Sequence, residues 1–160
     1  MQRSGFRFAI FLGGFVAGAL DIAYACVRGA MNGVSPERVL QSVASGLLGR
    51  PAYDGGAATA LLGLGLHFAM TGLMAAAYVV AAARFPLLRD RWWLAGPVYG
   101  AGLYLVMNRI VVPLSAFPGG PFALNLSDLA VHMFFVGLPI ALAAARWAPA
   151  SRAPTPAPAR

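Results

Sequence analysis

Asp128 and His132 stand four residues apart in the run Asn125-Leu126-Ser127-Asp128-Leu129-Ala130-Val131-His132. A helix through this run places a carboxylate and an imidazole on one face. The run opens a long apolar segment, and ionisable groups inside membrane-spanning segments are costly enough to count as functional candidates. Three other apolar segments carry matching groups: Asp21 in the first, His67 in the second, and Asn108 with Arg109 in the third. Histidine is the side chain that titrates closest to neutral pH, so imidazoles beside carboxylates can hold a proton or accept a cation. Asp21 and Asp128 are negative and Arg109 is positive, so with neutral histidines the set lacks one positive charge. A protonated histidine, a protonated carboxyl or a bound cation would close that gap. Asp21, His67, Asn108, Arg109, Asp128 and His132 therefore predict a proton- or cation-responsive site for binding or transport.

The same residues admit other roles. An Arg109 bridge to Asp21 and Asp128 would brace the helices and make the chain a non-catalytic scaffold or assembly protein. His67, His132 and a carboxylate suit zinc, and two histidines on separate helices suit haem. No tight ligand motif accompanies them, so no cofactor is assigned, with a metal ion as a candidate. Met70 and Met74 share a helix face with Gly63, Thr71 and Tyr78, a pattern of packing rather than of copper ligands at one depth. P-loop, dinucleotide, HExxH and GxSxG patterns are absent and no nucleophile is evident, which weighs against an enzyme.

Four elements must position these groups, and composition says what kind. Hydrophobic residues make up 59% of the 160 and charged residues 11%, more apolar surface than a water-soluble core can hide. Runs at about 6–28, 57–83, 92–114 and 124–147 each reach the ~20 residues that cross ~30 Å of hydrocarbon. The predicted fold is all-α, a four-transmembrane-helix bundle over 1–148 whose main partner is the lipid bilayer. Gly14/Gly18 and Gly96/Gly100 are small-residue pairs at GxxxG spacing that would admit a homodimer. A rival reading makes the first run a cleaved signal peptide, with Arg3 and Arg7 ahead and Ala23-Tyr24-Ala25 before Cys26; Asp21 and Tyr24 argue against it. Cys26 is the only cysteine and cannot form an internal disulfide.

Between the first two runs, about 36–48 reads as a short amphipathic helix. Ser35 suits the N-cap, Pro36 the first position and Glu37 the first turn. Val39, Leu40, Val43 and Leu47 form an apolar face opposite Glu37, Arg38, Gln41 and Ser45, which predicts a helix lying on the membrane surface. Residues 149–160 form a Pro/Ala-rich tail, expected to be disordered.

The net charge of +7 comes from arginine, with no lysine. Such charge beside membrane spans records topology and anionic lipid, so no nucleic-acid partner is implied. Arg3, Arg7, Arg84, Arg89, Arg91, Arg146, Arg152 and Arg160 fall on one side, against Arg28, Arg38 and Arg50 on the other. Both termini are thus expected in the cytoplasm. At 1.5 Å per helical residue, Asp21 and His67 then lie ~10 Å inside the outer boundary, Arg109 ~8 Å, Asp128 ~6 Å and His132 ~12 Å. That is one layer.

The run from His67 to Tyr78, Phe85-Pro86, Val111-Val112-Pro113-Leu114 and Asp128-Leu-Ala-Val-His132 resembles the YagU-like family of uncharacterised bacterial inner-membrane proteins. The resemblance covers about the last two thirds of the chain. It implies an inner-membrane location and no established reaction. Where that family often has a histidine near the end of the third span, this chain has Asn108 beside Arg109, and its first loop is shorter.

Overall fold

The computed structural model describes residues 2–120 and 123–148, and the predicted tail lies outside them. Among the described residues there is no strand. Helix α1 covers Gln2–Met31, α2 Pro36–Leu48, α3 Gly56–Arg84, α4 Leu87–Asp90, α5 Trp92–Leu114 and α6 Leu126–Trp147, with a 3₁₀ turn at Arg50–Asp54 after α2. Helices α1 (over Ser4–Met31), α3, α5 and α6 are long and apolar enough to cross a membrane. The fold is the expected all-α bundle of four such helices.

Its packing runs opposite to that of a water-soluble core. The buried residues are mostly small, among them Ala9, Ala17, Ala75, Ala82, Ala141 and Ala144, with Tyr78, Ile140, Val79 and Val136 as the largest that are fully buried. Phe11, Leu61, Leu73 and Leu126 are each about two-thirds exposed. In hydrocarbon a large apolar side chain gains little by burial, whereas small residues let backbones approach and make dispersion contacts. The α5–α6 contact shows the limit of this approach. A Cβ added at Gly100 would lie 2.0 Å from the carbonyl oxygen of His132, and one at Gly137 would lie 2.1 Å from that of Gly96. Gly14 of α1 meets the backbone of Gly72 in the same way. Both glycine pairs that could have served a homodimer thus face neighbours inside the chain.

Helix α2 has the predicted caps, and its faces follow the prediction in part: Glu37 and Arg38 are exposed and Val39, Leu40 and Val43 half-buried. The Ser35 side chain accepts from Arg38 N–H, Pro36 opens the helix and Gly49 ends it at φ 67°. Yet Gln41, Ala44 and Ser45 are buried, while Leu47 and Leu48 of the apolar side are exposed. The reason is that α2 packs on α3 instead of lying free: a Cβ at Gly63 would fall 1.9 Å from the Leu40 carbonyl oxygen. Its polar residues are satisfied inward, Gln41 donating to Gly56 O at 3.2 Å and Ser45 to Ser42 O at 2.7 Å. Arg38 stacks on the Tyr53 ring and donates to the Tyr53 carbonyl. Ala116 N–H, just after α5, donates to Gly46 O at 2.9 Å. So α2 is pinned to both neighbours as a roof over one end of the bundle.

Two π turns interrupt the long helices, at Met107–Val111 in α5 and His132–Gly137 in α6. Each is closed by a bond over five residues, Val112 N–H to Met107 O and Leu138 N–H to Met133 O. In both cases the next residue is proline, Pro113 or Pro139, whose ring lacks an N–H and crowds the carbonyl four residues back. Widening the turn relieves that conflict and inserts one residue into the helical register.

Because the α5–α6 contact leaves no room for a methyl group at Gly100, Gly100→Ala should lower stability by about 1–3 kcal/mol in detergent. Gly65→Ala, where nothing lies within 4 Å, should change it by less than about 0.5 kcal/mol. Thermal unfolding of the two variants side by side checks this.

Candidate functional site

Asn125 sets the start of α6. Its Oδ1 accepts from Ser127 N–H at 3.0 Å and Asp128 N–H at 3.2 Å, which fixes Asp128 in the first turn. Because α1 ends where α6 begins, Asp128 meets the last turns of α1. Arg28 Nη1 donates to Asp128 Oδ1 and forms an ion pair with it. Tyr24, one turn earlier on the same face, donates its hydroxyl to that oxygen at 3.3 Å.

This corrects the expected Arg109 bridge. Arg109 is exposed and stands away from the cavities that hold Asp21 and Asp128. Two physical reasons account for the exchange. Helix α1 continues to Met31, so Arg28 belongs to a helical turn rather than to a loop. Arg109 lies within the α5 π turn, where the inserted residue shifts side chains off the face that a 3.6-residue period assigns. The signal for Arg28 was present in its spacing of seven residues from Asp21 and four from Tyr24.

The histidines are held by backbone rather than by carboxylates. His67 Nε2 lies 2.9 Å from the carbonyl oxygen of Gly18 on α1, and the side chain is buried. His132 Nδ1 lies 2.9 Å from the carbonyl oxygen of Asp128, so the expected side-chain pair is a ring-to-backbone bond. A carbonyl only accepts, so Nε2 of His67 and Nδ1 of His132 carry protons. In the neutral rings the other nitrogen is an acceptor, and no described residue bonds to it. The His132 ring also meets the Tyr104 ring edge-on at 5.4 Å, and the Tyr104 hydroxyl accepts from Asn125 N–H.

Asp21, His67 and His132 line one cavity of about 420 Å³ under α2. The two π turns border it through Met107, Val111, His132 and Val136. A second cavity of about 450 Å³ is lined by Asp21, Tyr24, Arg28, Asp128 and His132. Asp21 and His132 line both, so they stand at the partition between the two. No described residue makes a hydrogen bond or ion pair with the Asp21 carboxylate. Asn108 donates to Tyr104 O at 2.8 Å and lines a third cavity, which shares Val112 and Phe117 with the first. Of the six predicted residues, three share the main cavity, Asp128 joins two of them in the second, and Asn108 and Arg109 stand apart.

Among the described residues no group of three or more His, Cys, Asp or Glu side chains is placed to hold a metal ion. No family model, curated protein or solved structure matches the chain. The chemistry must be read from the geometry. Asp21, two histidines and the hydroxyl residues Ser42, Thr71 and Ser115 border a largely apolar cavity.

The Arg28–Asp128 pair is partly exposed, with side-chain exposures of 44% and 28%. A double-mutant cycle of Arg28→Ala and Asp128→Ala, read by thermal unfolding, should give a coupling of about 0.5–1 kcal/mol. Zero coupling would remove Arg28 as the partner of Asp128.

Proposed function

We propose that this membrane protein carries an ionisable binding site in which Asp21, His67 and His132 hold a proton or a cation, for binding or transport. The observation that supports this most is the unpartnered Asp21 carboxylate in a cavity it shares with two imidazoles, each having an unused acceptor nitrogen. A carboxylate without a protein counter-charge is suited to hold a cation. Asp128 has the other role considered for these residues: with Arg28 and Tyr24 it braces α6 against α1. We place the site in a bacterial inner membrane, near the periplasmic side and with both termini in the cytoplasm. The arginine distribution and the resemblance to YagU-like proteins support that placement.

The test is ¹⁵N NMR of the two histidine rings across neutral pH, in wild type and in Asp21→Asn. The expected result is that at least one ring titrates differently in the variant while the protein stays folded. Identical titrations in the two proteins contradict the site. Loss of folding in Asp128→Asn with folding retained in Asp21→Asn would separate the brace from the site.

A further inference from the structure

We propose that the occupant of the cavity under α2 is a hydrophobic organic cation, an amine or onium group on an apolar body, with Asp21 as its counter-charge. This rests on the ionisable site above and adds the chemistry of the ligand. The sign comes from a count of the groups facing Asp21. Across the two cavities these are His67 from α3, His132 and Asp128 from α6, and Tyr24 and Arg28 from α1 itself; α2 and α5 contribute no ionisable group. Arg28 is engaged by Asp128, so with neutral rings the site keeps one uncompensated negative charge. An organic anion would meet that charge, and a neutral ligand would leave it uncompensated.

The apolar body follows from the walls. Apart from its few polar groups the cavity is lined by Met70, Met74, Met107, Val111 and Val136. A hard cation such as Ca²⁺ or Mg²⁺ wants six or more oxygen ligands, which these walls do not supply, and among the described residues no three His, Cys, Asp or Glu side chains are placed to hold a metal ion. Methionines are unbranched and polarizable, so they fit irregular apolar shapes. The volume of about 420 Å³ falls in the ~300–1,000 Å³ range of small-molecule sites. A route in is visible as well: Leu47 and Phe117 both line the cavity and are 62% and 37% exposed. The rim therefore reaches the outside of the bundle.

The experiment is equilibrium binding of tetraphenylphosphonium to the full chain in phosphatidylcholine nanodiscs, with empty nanodiscs as the blank. Tetraphenylborate, of nearly the same shape and opposite charge, is the control. The expected result is saturable phosphonium binding, weaker borate binding, and a loss of about tenfold or more in phosphonium affinity in Asp21→Asn. Met70→Trp, which fills the cavity without changing its charge, should weaken phosphonium binding too. Borate bound as tightly as phosphonium, no saturable phosphonium binding, or affinity unchanged in both variants overturns the proposal. The comparison of the two ions on wild type decides even where a variant does not fold. If the histidine rings respond to Asp21→Asn but phosphonium does not bind, the ligand class fails and the ionisable site stands. If neither occurs, both fail.

Discussion

Taking a carboxylate out of water costs several kcal/mol even after the protein relaxes around it, and the acids of α1 and α6 meet that cost differently. Asp128 sits where α6 begins, next to the last turns of α1, and receives both the Arg28 guanidinium and the Tyr24 hydroxyl. Asp21, two turns deeper on α1, has no such partner among the described residues and faces a cavity instead. One acid closes a helix contact; the other is left with unmet charge. That difference is the ground for the proposed division between a bracing acid and a binding one.

The bundle around them is shaped by the absence of a hydrophobic drive between helices in lipid. Alanines and glycines form the contacts, and phenylalanines and leucines point outward. Backbones that approach so closely also expose carbonyls to neighbouring side chains, and His67 is fixed in this way by Gly18, whereas His132 bonds the Asp128 carbonyl of its own helix. Tight packing at the glycines and cavity space beside them belong together. Where Pro113 and Pro139 force π turns, α5 and α6 border the same cavity. π turns occur often at functional sites because they re-aim side chains without ending the helix.

Much of this was legible in the letters. Hydropathy and length located four spans to within a few residues, and the caps of α2 followed from Ser35, Pro36 and Gly49. The depth count brought Asp21, His67 and His132 to one level because all three lie in regular helix or at its edge, where 1.5 Å per residue holds. It does not place Arg109, which lies in a π turn that a fixed period does not represent, and Arg28, the last residue of the first predicted run, enters it only as topological charge. Three residues of α2, Gln41, Ser45 and Leu47, depart from the predicted faces for a different reason. Water-based amphipathicity assumes apolar side chains turn inward, whereas Leu47 and Leu48 face outward and Gln41 and Ser45 find partners within the protein. Partner choice between helices is a tertiary fact, and one chain's spacing does not contain it.

The central claim is that the Asp21 carboxylate shares a cavity with two imidazole rings and is not paired with the arginine that neutralises Asp128. Solid-state NMR in lipid bilayers can test this with a ¹³C label on the aspartate carboxyl carbons and ¹⁵N labels on the histidine rings and arginine guanidinium groups. The account predicts that the Asp128 carbon is dephased by Arg28 and the Asp21 carbon by at least one of His67 and His132. An Asp21 carbon dephased by neither ring, or by an arginine in place of them, would contradict it.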